Sequence, residues 1–416
     1  MTQTLSDAAH PQKTAYLRWL MEVTAIPTAA GREGRVIAWV RDWLDARPDL
    51  AWRADRHGNI EIRSANVEPT PDDAPLYFTA HLDHPAFVVR RALGNDGALV
   101  EFRGGVMAEY FEDARVVVHP DGDGPERVPG VLVTKVEGPD VDEGSAFPVY
   151  EMRFDTPAAV SVGDVATWEL PRPEVVEDEF GGILHTDGCD DLAAVAGALC
   201  ALEELRRARR AGEAIGDVRV LLTRAEEIGF IGCIGVCRDG FLPRKSKVIA
   251  LENSRSFPHD SPIHGGPIVR VGDRVSVFTP ELTAAVAEVA ERLAGRSAHP
   301  LAIEKAGPAG GRGGWRWQRK LMPGGACEAS VFCQYGYAAT CVCLPLGNYH
   351  NMADLAAVQA KTNTARPRVG REFIGVDDYF GMVDLLAACG RGMPSRASFA
   401  ERVEKLWAER SFVLNG

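Results

Sequence analysis

Nowhere in these 416 residues is there an apolar run approaching the ~20 residues that a membrane-crossing helix needs. The first residues, MTQTLSDAAHPQK, lack the apolar core of a secretory leader. The expectation is a cytoplasmic protein without a membrane partner. A surplus of positive charge is also missing: 46 Lys and Arg against 58 Asp and Glu leave a net charge of −12, and no basic stripe runs along the chain. That excludes a nucleic-acid partner, whose phosphates need such a stripe. No G-x-x-x-x-G-K-[ST] is present, so the glycine-rich stretch Gly307 to Gly314 is not a nucleotide cradle and is expected to be a loop near the site. There is no internal repeat and no low-complexity tract. The nine cysteines are odd in number, and Cys200, Cys341, Cys343 and Cys389 lie in apolar runs where Cys acts as a small core residue. Cys233 and Cys237 are spaced i, i+4 in FIGCIGVC, which fits a packed helix face better than a redox or metal pair.

What is present is an ordinary globular balance, 46% hydrophobic and 25% charged, in a chain long enough for two domains. Residues 14 to 47 pattern as two helices around a turn, with Trp39 and Trp43 on one face. Short apolar runs at Leu76–Ala80, VRVLLT, KVIALEN and Ala339–Pro345 pattern as buried strands. Helices are expected over Asp191–Ala211, Thr283–Gly295 and Phe373–Cys389. Between about Ala86 and Leu170 the chain holds only short β-like runs separated by Gly, Asp and Pro, the pattern of a small β-barrel or sandwich inserted into an α/β domain. The expected division is residues 1–85 and 179–416 for the α/β part and 86–178 for the insert.

Strand ends in an open α/β sheet converge on one crevice. Toward it the sequence places His81, Asp190, Glu226, Glu227, Glu252 and His350. Two imidazoles and several carboxylates make a site for two divalent cations, with one carboxylate left to move protons. Asp83, two residues beyond His81 on extended chain, can accept the ring N–H of His81 that the metal does not use. Asp190 opens a helix, and one of Asp187, Asp190 and Asp191 should cap it. The adjacent Glu226 and Glu227 would repel each other in a bland setting. Two roles account for the pair, one as cation ligand and one as proton acceptor. Glu252 ends the run KVIAL. His84 is expected on the face opposite His81 if the strand continues, with Pro85 ending it, and most of His57, His119, His185, His259, His264 and His299 as surface groups in turns.

The order His-x-Asp, Asp, Glu-Glu, Asp/Glu, His resembles that of the co-catalytic two-zinc exopeptidases. Their tetrahedral aminopeptidase branch, some of whose members are named glucanases, is similar in further details: DRHGN, AHLDHPAFVV, DGALVEFRGG, SVGDVATWE, CDDLAAV, RAEEIGFIG and GGACEA follow in order over residues 14 to 390. The resemblance implies a mixed-sheet catalytic domain with an inserted β-barrel that mediates homo-oligomer formation. It implies two zinc ions per chain, with cobalt or manganese as alternatives. Asp190 would bridge them, His81 and Glu252 would complete one site, Glu227 and His350 the other, and Glu226 would be the general base. The implied reaction is removal of N-terminal residues from short peptides. The sequence departs from the pattern where His84 and Pro85 replace an acid and a small residue, Leu192 a common arginine, Cys327-Glu328 a Thr-Asp and Glu252 an aspartate, and where the run Asn348, Tyr349, His350, Asn351 differs around the last ligand. Two other readings follow from those departures: a deacylase acting on a non-peptide amide, and a metal-binding assembly protein without turnover.

Overall fold

The computed structural model describes residues 10–66, 74–121, 127–136, 146–295, 298, 314–394 and 397–414. Most of the stretch Gly307 to Gly314 therefore lies outside the described residues. Among those described, no helix is long and apolar enough to cross a membrane.

Eight strands form a mixed sheet in the order Leu50–Ala54, Ile60–Ser64, Val218–Thr223, Leu76–His81, Lys247–Arg255, Ala338–Leu346, Ile268–Gly272, Gln318–Leu321. The four central strands are mutually parallel and buried almost throughout, which explains why they look continuously apolar in sequence and not alternating. Their C-terminal ends point one way, at His81, at the residues after Thr223, at the stretch from Glu252 to Arg255 and at the residues after Leu346. The helices Lys13–Val23, Gly34–Asp45, Leu192–Arg210, Pro280–Ala294 and Val376–Arg391 share one core with the sheet. A second core on the other face takes Cys233, Val236 and Cys237 from the helix Ile231–Arg238, with Ala329 and Phe332 from the helix Glu328–Gln334. The i, i+4 cysteines are thus core packing, as their spacing suggests.

Two expectations need correction. Residues Glu372–Gly375 form a strand, and the helix starts only at Val376, because Phe373 and Ile374 pair with His185 and Leu184 in a small sheet. Glu252 does not end its strand, which runs on to Arg255 beside Ala338–Leu346.

A closed antiparallel barrel is built from Ala86–Ala92, Gly97–Arg103, Arg115–His119, Val128–Val136, Val149–Phe154 and Val165–Trp168. Phe87, Phe102, Phe111, Tyr150 and Trp168 fill it, with Phe111 and Tyr150 stacked 4.6 Å apart. The next strand, Glu174–Glu177, pairs instead with Gly182–Thr186, which in turn pairs with Glu372–Gly375. His119, expected at the surface, is largely covered, and burial together with the Arg35 and Arg127 guanidinium groups lowers its pKa to about 4. The unfolded chain takes up this proton near the ordinary value of 6.5, and the folded chain does not. Stability should therefore decline as pH falls from about 6.5 to about 4, with His119 contributing roughly 3 kcal/mol of the loss. Thermal unfolding across that range should show a shallower decline for His119→Gln than for the parent chain.

Candidate metal centre

His81 is the last residue of its strand, and its backbone N–H donates to Asp191 Oδ2 at 3.2 Å. Asp191 also accepts from Asn253 Nδ2 at 2.9 Å, tying the start of the helix Leu192–Arg210 to two parallel strands. It occupies the N-cap position but makes no side-chain cap bond, so the expected capping carboxylate is spent on the sheet. Asp190, one residue earlier, is left pointing at the crevice.

The turn that carries Glu226 and Glu227 is strapped from three directions. Glu33 accepts from the Ala225 N–H at 3.0 Å and from Arg224 Nε at 2.8 Å, and Asn59 Oδ1 accepts from the Arg224 N–H at 3.0 Å. Asp83 completes the set: Oδ1 accepts the Glu226 N–H and Oδ2 the Glu227 N–H, both at 3.0 Å. The Asp83 carboxylate thus orients the two glutamates. His81 Nδ1 is nearer to the Asp83 backbone carbonyl, at 3.1 Å, than to its carboxylate, at 3.5 Å. Because residue 83 offers its carbonyl to the ring, its side chain is free for the turn.

His350 Nδ1 donates to Gly105 O, 2.6 Å away, so a barrel loop orients this ring. With Nδ1–H engaged on backbone oxygens in both histidines, each Nε2 is the nitrogen turned to the crevice, and it presents a lone pair in the neutral ring. His81 Nε2 lies 3.4 Å from Asp190 Oδ1 and 3.8 Å from Glu226 Oε2. His350 Nε2 lies 3.5 Å from Asp190 Oδ2 and 3.5 Å from Glu227 Oε1. Each oxygen of Asp190 therefore faces a different imidazole. Two ligands at about 2.0–2.1 Å from one tetrahedral zinc stand about 3.3–3.4 Å apart. The separations of 3.4 Å from His81 to Asp190 and of 3.5 Å from His350 to Asp190 and to Glu227 are close to that spacing, whereas Glu226 stands farther off, at 3.8 Å.

Donor atoms of His81, Asp190 and Glu227 lie within 4.8 Å of one another, as do those of His81, Glu226 and Glu252. Asp190 Oδ1 and Glu227 Oε1 are buried and accept no hydrogen bond. Buried acceptors without donors are costly unless a cation or proton meets them. Burial raises Glu227 to about 7, and it raises Glu226 and Glu252 well above the usual carboxylate range, Glu226 despite the opposing pull of His81. Burial alone would lower His350, yet Glu227 and Asp190 outweigh it and raise the imidazole to about 9. The donor set is one that divalent cations fit.

Four further residues belong to the centre. His84 is buried, with Nδ1 against the Asp190 carbonyl and Nε2 at 3.0 Å from Asn351 Oδ1. The chain leaves its strand after His81, so the alternation that put His84 on the opposite face does not apply. Asn351 is itself buried beside His350. Glu328, also buried, has Oε1 without a donor; its place in the first turn of a short helix gave no spacing signal. Glu372 accepts from the N–H groups of Cys189 at 2.6 Å, Asp190 at 3.0 Å and His350 at 2.7 Å. It holds the backbone of two candidate ligands at once, and it stands just before the segment read as helix, where no pattern marked it. Glu372→Ala should leave three buried N–H groups without an acceptor, at about 1–3 kcal/mol each. Thermal unfolding should register that loss, and zinc titration should show affinity lower by roughly 10- to 100-fold.

None of the curated proteins matches this chain in sequence. Several solved structures share its fold. The TET1 peptidase of Pyrococcus horikoshii is 18% identical, with 90% of this chain and 99% of that one covered at a TM-score of 0.64. An aminopeptidase from Desulfurococcus kamchatkensis is 17% identical, covering 91% and 95% at 0.64. A Thermotoga maritima protein named endoglucanase is 16% identical, covering 89% and 96% at 0.58. Residues 58–294, more than half of the chain and including every candidate ligand except His350, match the M42 glutamyl aminopeptidase family, and the chain belongs to that family, the tetrahedral aminopeptidases.

Proposed function

We propose that this M42 peptidase is an aminopeptidase that hydrolyses N-terminal peptide bonds of short peptides with two divalent cations bound per chain, zinc before cobalt or manganese. The observation that carries the reading is the placement of Asp190, one carboxylate oxygen toward His81 and the other toward His350. His81, Glu252 and Asp190 would hold one cation, and Glu227, His350 and Asp190 the other. Bound there, such cations supply Lewis-acid charge that acidifies water and polarises an amide carbonyl.

Glu226 would then do the proton work. Its backbone is pinned by Asp83, its side chain is 3.8 Å from His81 Nε2, and burial keeps its carboxyl well above the usual range, so it can take a proton from the attacking water and return it to the departing amine. The barrel is proposed to join subunits, with residues 86–178 as the separate domain. The Pyrococcus horikoshii relative, by description, assembles into a tetrahedron or a large octahedral shell, and such a shell would restrict entry to short peptides. Light scattering at micromolar concentration should show a particle larger than one chain; a strict monomer would contradict this part.

A panel of aminoacyl amides and N-acylated amino acids, each with added zinc, cobalt or manganese, tests the activity. Turnover of substrates with a free α-amino group is expected. Turnover confined to the acylated compounds would replace the reading with a deacylase, and no turnover under any metal would favour an assembly protein.

A further inference from the structure

The C-terminal helix Ala397–Arg410 has no counterpart in the catalytic reading. Every described side chain of it, from Ala400 to Arg410, is exposed, and its main neighbour is the single turn Ser411–Leu414 that follows it. A groove of about 690 Å³, lined among others by Ala284, Ala287, Glu288, Arg319, Arg402 and Val403, separates it from the helix Pro280–Ala294. Helices of about 12–15 residues are marginal in water without packing. This one also exposes Val403, Leu406 and Trp407 on one stripe, followed by Phe412, Val413 and Leu414, which are between 65% and 72% exposed. Monomeric surfaces seldom carry such a contiguous apolar patch.

We infer that this face is an interface between two copies of the chain, in which the helix pairs antiparallel with its equivalent across a two-fold axis. The charges select the occupant. Val403, Leu406 and Arg410 have the spacing of a helical seam, and Arg402 and Glu409 each precede a seam position, seven residues apart on the same flank. Antiparallel pairing of two identical helices brings Arg402 of each chain opposite Glu409 of the other, two equivalent ion pairs from one sequence. Glu409 is at present 3.7 Å from Lys405, an exposed i, i+4 contact that is readily exchanged. A membrane surface fits less well, since it favours a basic polar face. Here Glu401, Glu404 and Glu409 balance Arg402, Lys405 and Arg410.

Sedimentation velocity of the full chain tests this. Leu406→Glu should remove one association step, lowering particle mass at every concentration between about 1 and 100 µM. Arg402→Glu should weaken that step by about tenfold, and adding Glu409→Arg to it should restore the parent behaviour, because the pair is only reversed. All these positions are exposed, so folding is not at stake, and circular dichroism on the same samples confirms it. Unchanged mass for Leu406→Glu, or failure of the double reversal to rescue, overturns the inference. Peptidase assays on the same samples keep it separate from the catalytic reading: assembly without turnover would refute only the latter.

Discussion

Glu226→Gln is expected to keep its metal and fold and to lose about 10²- to 10⁴-fold in kcat, with little change in KM. The amide is nearly isosteric with the carboxylate. The backbone N–H of residue 226 still reaches Asp83, and the residues facing Asp190 are unchanged. What disappears is a carboxylate able to take a proton beside His81. The same position offers a stricter alternative, because Glu226 Oε2 also lies within the group formed with His81 and Glu252. Were Glu226 a ligand, the variant would lose metal together with rate, and Glu227→Gln would be the variant that retains metal and is inactive. Metal content measured alongside kcat separates the two assignments.

The second large effect is expected at Asp190. Asp190→Ala removes a side chain whose two oxygens lie within 3.5 Å of the two imidazoles, and both cation sites should weaken together. His350→Ala should reduce mainly the site shared with Glu227, since His81 keeps its contacts with Asp190 and Glu226. Competition with a chromophoric chelator would show loss of both equivalents for Asp190→Ala and a biphasic curve for His350→Ala. Identical curves for the two variants would contradict a bridging Asp190. All of these variants should be inactive at limiting metal.

The candidate ligands were legible in the sequence because parallel strands buried on both faces leave short apolar runs, and polar residues at their ends stand out. His81 and the Glu226-Glu227 pair follow such runs directly, and the barrel announced itself by the absence of helical periodicity from Ala86 onward. The support of the site was not legible, because it depends on contacts between segments far apart in the chain. Asp83 turned its carboxylate to the glutamate turn because its own backbone carbonyl lay nearer His81. Glu372 sits in a four-residue strand whose partner is a hairpin nearly two hundred residues upstream, and only that pairing carries it beneath Asp190 and His350. The face of His84 hung on where the strand ends, and the strand ends at His81. The contacts of His84 with Asp190 and Asn351 come from the turn that follows.

The central claim is that one chain holds two divalent cations around Asp190, and metal content of the exhaustively dialysed protein, measured by plasma emission spectrometry on samples of known activity, tests it most directly. About two equivalents per chain are expected, with activity lost on chelation and regained on adding zinc, cobalt or manganese. A content near zero in protein whose activity is indifferent to chelator would contradict the account.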